Sequence, residues 1–193
     1  KQKGLPLFSL EENTGIDFSN NITDNQDFNV LIYRNFYNGA GVAIGDINND
    51  GLADIFFTSN QGQNKLYLNK GNFKFEDISE KAGLINKGKW ATGVVMADVN
   101  GDGFLDIYVC YAGYQKGIDQ ENELYINNKN LTFTESAKEY GLNDSGYTTQ
   151  AAFFDYDMDG DLDCFIINNS FIPLNKLNYA NKRDLPAKDW PVK

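Results

Sequence analysis

A chain of 193 residues with 41% apolar and 14% aromatic side chains is long enough to bury one core, which excludes a disordered polymer. Its formal charge of −10 argues against nucleic acid, whose phosphates need a basic face, and the absence of histidine removes the usual general base, histidine-dependent nucleophile pairs and histidine-ligated zinc. No apolar run approaches the roughly 18 residues of a membrane span, so no transmembrane span is expected.

Near the N-terminus, Phe8-Ser9-Leu10 and Thr14-Gly15-Ile16 read as the last strand of a repeat whose earlier strands are missing, and Asn20 to Asn29 reads as a polar loop. A small, apolar strand follows, Gly41-Val42-Ala43-Ile44-Gly45, then the nonapeptide Asp46-Ile47-Asn48-Asn49-Asp50-Gly51-Leu52-Ala53-Asp54 and the strand Ile55 to Thr58. Asn64 to Asn69 alternates as a third strand. A fourth carries Phe73, Phe75 and Ile78, and Ser79 to Ala82 allows one helical turn closed by Gly83.

The same order then recurs. Gly93 to Ala97 leads into Asp98-Val99-Asn100-Gly101-Asp102-Gly103-Phe104-Leu105-Asp106, followed by the strands Ile107 to Cys110 and Asn122 to Asn127. A fourth strand carries Leu131 and Phe133, and Ser136 to Tyr140 precedes Gly141-Leu142. A third copy begins at Gln150 to Phe154 and passes through Asp155-Tyr156-Asp157-Met158-Asp159-Gly160-Asp161-Leu162-Asp163 into Cys164 to Ile167. After it, Asn175 to Tyr179 only faintly echoes Asn64 to Tyr67, and Pro173, Pro186 and Pro191 mark a loop-like tail.

All three nonapeptides fit DxNxDGxxD, with Asp157 replacing the asparagine. Ca²⁺ takes about six to eight hard oxygen ligands, and alternate residues of a curled loop can aim side-chain oxygens at one centre. The expected ligands are Asp46, Asn48, Asp50 and Asp54, then Asp98, Asn100, Asp102 and Asp106, then Asp155, Asp157, Asp159 and Asp163. Position 7 adds a backbone carbonyl from Leu52, Phe104 or Asp161, and glycine at position 6 permits the sharp turn. An EF-hand opens the same way but needs a glutamate at position 12, where this chain has Phe57, Val109 and Ile166 inside apolar runs. The loops are therefore expected to join strands and to hold one Ca²⁺ each, three in all. They contain 11 of the 27 acidic residues, so three bound ions would bring the net charge to about −4.

The loop starts lie 52 and 57 residues apart, a repeat length typical of propellers and solenoids. Four antiparallel strands per repeat defines a propeller blade. The expected fold is all-β, with residues 1–38 as an N-terminal segment carrying the last strand of a neighbouring blade, 39–89 and 90–146 as blades, and 147–193 as a partial blade and tail. Propellers close with four to eight blades, so this chain reads as a piece of a longer one or as a part completed by copies or partners. Cys110 and Cys164 fall on opposite faces of equivalent strands and read as two buried thiols.

The loops, Gly41 to Gly45, the Leu-Tyr-Leu-Asn and Leu-Tyr-Ile-Asn blocks and the Phe-x-Glu segments together resemble FG-GAP/VCBS repeats, the blade type of integrin α-subunits. Tyr37 to Asp46 and Phe153 to Asp157 are similar in wording to bacterial secreted VCBS proteins of the ASPIC/UnbV type, many of them surface lipoproteins. The resemblance covers about residues 8 to 170, and the 193 residues do not include the ASPIC-type C-terminal domain that the family pattern would lead one to expect. It implies a seven-bladed parent propeller with calcium at the matched positions.

Calcium abundance outside cells adds to this, and Lys1 in place of methionine leaves room for a leader upstream, so an extracellular or outer-membrane surface location is expected. The expected function is a non-enzymatic binding or scaffold module for a protein or glycan ligand, with an outer-membrane nutrient-uptake transporter assembly as one setting. The alternative is a calcium-dependent polysaccharide lyase or other carbohydrate-active enzyme, whose base would be a Lys, Tyr or Arg such as Lys65, Lys89 or Arg34. Nothing in their spacing singles them out, and solvated lysines are the plainer reading. Recognition would fall on Ser59 to Gln63 and Tyr111 to Gln120. Trp90, Tyr111, Tyr114 and Tyr147 offer rings for sugars, although aromatics near blade junctions more often belong to the core.

Overall fold

A computed structural model describes residues 8–113 and 117–169. Each aspartate nonapeptide sits in the bend of an antiparallel hairpin. In the first repeat, β1 (Val42–Gly45) pairs with β2 (Asp54–Phe57), β2 with β3 (Lys65–Asn69) and β3 with β4 (Phe75–Asp77), giving a four-stranded sheet in sequence order. A four-residue helix, α1 (Ser79–Ala82), follows and stops at Gly83 in the left-handed conformation, φ 80°. The second repeat repeats the order with β5 (Trp90–Ala97), β6 (Asp106–Ala112), β7 (Glu123–Asn127) and β8 (Phe133–Glu135). Its Ser136 to Gly141 stretch forms turns rather than a helix. The third contributes β9 (Tyr147–Phe154) paired with β10 (Asp163–Asn169).

Register repeats as faithfully as order. Gly45 faces Asp54, Ala97 faces Asp106 and Phe154 faces Asp163, so each loop springs from an equivalent pair and lies between strands, not helices. Three placements in the expected fourth strands need correction, the first being Ile78, which lies beyond β4 as the N-cap of α1. Phe73 and Leu131 belong to the tight turns before β4 and β8, where both adopt positive φ (54° and 66°), and Phe73 is exposed. The fourth strands are therefore only three residues long.

The sheets pack face to face through alternate side chains. Phe56 and Leu66 of the first meet Val94, Ile107, Val109 and Tyr125 of the second in one buried cluster. Tyr108, Cys110 and Leu124 of the second meet Ala151, Phe153, Cys164 and Ile166 of the third in another. Both cysteines are free thiols, and their opposite-facing positions bring them into this one junction. Burial pushes the Cys110 thiol up to about 12 and the Cys164 thiol up to about 11.

At the first strand of each sheet the spacing is closer still. A Cβ on Gly41 would lie 2.6 Å from the Thr92 carbonyl oxygen, and one on Gly93 would lie 2.5 Å from that of Thr149. Glycine is needed at these two places for close approach of backbones. The third repeat carries Gln150 at the matching position.

The N-terminal segment straps the first sheet. Phe75 N–H donates to the Thr14 carbonyl, Phe18 stacks on Phe57 at 4.8 Å, and the Tyr67 hydroxyl donates to Asp17 at 2.7 Å. Gly15 sits against the Phe75 carbonyl, but residues 8–25 form no strand, so the last strand of a neighbouring blade expected at Phe8 to Ile16 is instead an irregular strap bonded to β4 at one point. Residues 25–38 form successive turns and not a simple polar loop. Phe28, Tyr33 and Phe36 close around Trp90 and Ala112 in a small aromatic core of their own. The C-terminal echo at Asn175 to Tyr179 lies outside the described residues.

Candidate metal centre

Each nonapeptide is already curled around its first aspartate. Asp46 Oδ1 accepts the Asp50 N–H at 3.2 Å and Oδ2 the Gly51 N–H at 2.8 Å. Asp98 holds Asp102 and Gly103 at 2.9 and 2.8 Å, and Asp155 holds Asp159 and Gly160 at 3.1 Å each. The position-5 carboxylate in turn accepts the position-7 N–H: Asp50 from Leu52, Asp102 from Phe104 and Asp159 from Asp161, at 2.8 to 3.0 Å. Three independent loops with one hydrogen-bond plan is the local result of the shared DxxxDG skeleton.

The backbone bends at two residues in every copy. Position 6 is left-handed in Gly51, Gly103 and Gly160, as glycine there implied, but so is position 4, in Asn49 (φ 60°), Gly101 (69°) and Met158 (62°). The sequence reading missed position 4. Asn and Gly tolerate that conformation, whereas a methionine held there costs roughly 1–2 kcal/mol.

The structure gathers the predicted ligands unevenly. Asp155, Asp157 and Asp159 each offer a carboxylate oxygen, and these oxygens lie within 4.8 Å of one another on an exposed loop. Asp161 and Asp163 stand outside that group. In the first two loops the position-3 amides of Asn48 and Asn100 donate to Asp50 and Asp102, at 2.9 and 3.1 Å. The second loop also has a cation at hand, Lys129 Nζ 3.4 Å from Asp102.

The ninth residue is a strut as well as a candidate ligand. Asp54 is fully buried, its Oδ2 accepting the Ile47 N–H at 3.0 Å and its Oδ1 the Asn69 N–H at 2.7 Å. Asp106 does the same with Val99 and Asn127, at 2.9 and 2.8 Å, and Asp163 accepts from Tyr156. Burial raises the carboxyl pKa of Asp54 and Asp106; their two backbone hydrogen bonds oppose the rise, and the neighbouring loop aspartates add to it. A bound cation would favour the ionised form of these buried acids, so the donor set fits Ca²⁺ chemically. The ion would supply positive charge among crowded carboxylates and tie the loop's two halves together.

The strand-terminal asparagines were not singled out as functional by sequence, although both end the repeated Leu-Tyr blocks. Asn69 binds Ala53 O within its own repeat, and Asn127 Nδ2 binds both Leu105 O and Ile47 O, linking the second repeat to the first loop at 2.8 Å.

Lys89 requires correction: it is a buried side chain, not a solvated one. Its Nζ reaches Glu123 Oε1 at 3.0 Å, Asp119 at 3.4 Å and the Glu121 carbonyl at 2.8 Å. The Tyr111 and Tyr125 hydroxyls donate to the same Glu123 at 2.6 and 2.7 Å. With all three ammonium donors engaged, Lys89 clasps residues 119–121 to β7, and Lys65 is similarly paired with Asp77. Trp90 and Tyr111 are core residues, and Tyr114 lies outside the described residues. Ser59 and Asn60, expected on a recognition loop, are buried; Asn60 ties Gly39 O to Ala91 O.

Two antiparallel four-stranded sheets and a third hairpin, stacked face to face and each opening on an aspartate-rich loop, define a β-propeller-like architecture. Residues 46–109 and 111–166 match the FG-GAP-like repeat, and the chain belongs to that family. It is also similar to cartilage acidic protein 1: 41% identical to the Xenopus tropicalis protein, 39% to that of Mus musculus and 38% to that of Homo sapiens, each over 69 residues. That stretch is 36% of this chain and only about a tenth of each relative. No helix among the described residues is long and apolar enough to cross a membrane.

Proposed function

We propose that this chain is a calcium-stabilised extracellular or cell-surface β-propeller module that binds or scaffolds a protein or glycan ligand, with an outer-membrane uptake assembly as one setting. The ligands are the oxygens of Asp46, Asn48, Asp50, Leu52 and Asp54 and their counterparts in the second and third loops, one ion to a loop. The observation that carries the reading is the shared loop geometry, in which one aspartate at position 1 organises the same backbone turn three times and, in the third, three carboxylates converge. Like charges brought so close repel, and a divalent cation removes that repulsion while adding bonds between the two strands of each hairpin.

The ion's role is to stabilise. Anything that binds the folded state and not the unfolded one raises stability by mass action, by about 2.7 kcal/mol at one hundred times the dissociation constant. Thermal melting with calcium and with a chelator tests this: calcium raises the midpoint in proportion to its logarithmic concentration, and magnesium, which demands a smaller octahedral cage, raises it far less. Identical melting curves in the two conditions would overturn the assignment.

A further inference from the structure

The first strands of the three sheets carry the aspartate loops at one end and converge at the other on a cavity of about 250 Å³. Three repeats and the 25–38 segment all contribute to it. Tyr33, Asn35 and Asn38 come from that segment, Gly41 and Val42 from the first repeat, Thr92 and Gly93 from the second, and Thr149 and Gln150 from the third.

The lining is unusual for so acidic a chain. The sequence holds 27 acidic and 17 basic residues, yet no carboxylate, ammonium or guanidinium lines this space. Polar side chains there are hydroxyls and carboxamides. Some are already engaged: Thr92 Oγ1 donates towards the Thr148 and Cys110 carbonyls, Thr149 Oγ1 donates to Ile167 O, and Asn35 is bonded to Tyr33. The carboxamides of Asn38 and Gln150 have no hydrogen-bond partner among the described residues.

Each free carboxamide offers an acceptor oxygen and a donor NH2 side by side, the complement of two neighbouring hydroxyl groups. A charged ligand would lose its hydration here without gaining a counter-ion, which costs more than a neutral polar group that is hydrogen-bonded in full. The volume falls below the roughly 300–1,000 Å³ of sites for drug-sized molecules, leaving room for one ring. From this geometry we propose that the cavity binds a single neutral sugar unit of a glycan, held by the carboxamides of Asn38 and Gln150 with the Tyr33 ring as one wall. The proposal rests on the chain being a binding module, and it places recognition at the end remote from the metal loops.

The test is a nitrogen–proton NMR titration of the calcium-loaded chain with D-glucose, D-galactose, D-mannose and N-acetyl-D-glucosamine, with D-glucuronate and D-glucosamine as charged probes. At least one neutral sugar shifts the side-chain amide signals of Asn38 and Gln150 saturably, the charged probes shift neither, and Asn38→Ala and Gln150→Ala each weaken the response about tenfold. Neither side chain is hydrogen-bonded among the described residues, so both variants should melt as the parent does. The proposal is overturned if none of the four sugars shifts these signals, if the charged probes act equally, or if both variants bind as tightly as the parent. Calcium melting on the same samples separates the two readings: silence towards sugars with a normal calcium response removes only the cavity's role, whereas loss of the calcium response removes the module reading beneath it.

Discussion

At the scale of single residues, the ninth aspartate of each loop does more for the fold than its place in a ligand list implies. Asp106 accepts two backbone N–H groups, from Val99 and Asn127, while fully buried. Asp106→Ala strands both donors, and at about 1–3 kcal/mol for each buried unsatisfied group it should cost about 3 kcal/mol even without calcium. Asp98→Ala, at the first position, should cost less without the ion and more with it. Urea unfolding of the two variants with and without chelator reads the difference directly; a loss for Asp106→Ala that disappears in chelator would show that Asp106 acts only through the metal.

Among the elements, the three loops share a plan but not a charge. The third places three carboxylates together and has Asp157 where the others have asparagine, whereas the second carries Lys129 beside Asp102. Affinity in calcium loops follows ligand charge, so the third should bind tightest. Calorimetric titration of Asp155→Ala should lose the tightest phase and one equivalent of ion, and Asp46→Ala or Asp98→Ala should leave that phase in place. Strands, hairpins and loop ends were legible from sequence because alternation and glycine report local backbone needs. Asp46 to Asp54 reads the same in any tertiary setting. The 25–38 segment was not legible, since Phe28, Tyr33 and Phe36 find their partner, Trp90, more than fifty residues away and lack a short-range period. Lys89 was misjudged for a related reason: its burial is set by Glu123 on β7, more than thirty residues along the chain, a contact that no local pattern records.

For the molecule as a whole, cohesion comes from the sheet junctions and from the axis where the first strands meet. At Gly93 a methyl group would press on the Thr149 carbonyl and the Gln150 Cα, at 2.5 and 2.9 Å, both of them backbone. Gly93→Ala should therefore force the second and third sheets apart at a cost of about 1–3 kcal/mol, the range for overpacking a filled site. Hydrogen exchange should show β9 and β10 losing protection first, and an unchanged protection pattern would count against this tight seam. The repeats are consequently not interchangeable bricks. Two of them end in a notch that admits the neighbour's main chain, and the third fills that notch with glutamine, so shuffling their order would jam at one seam and leave slack at another. Any effort to build longer arrays from this chain would have to respect the position of Gln150.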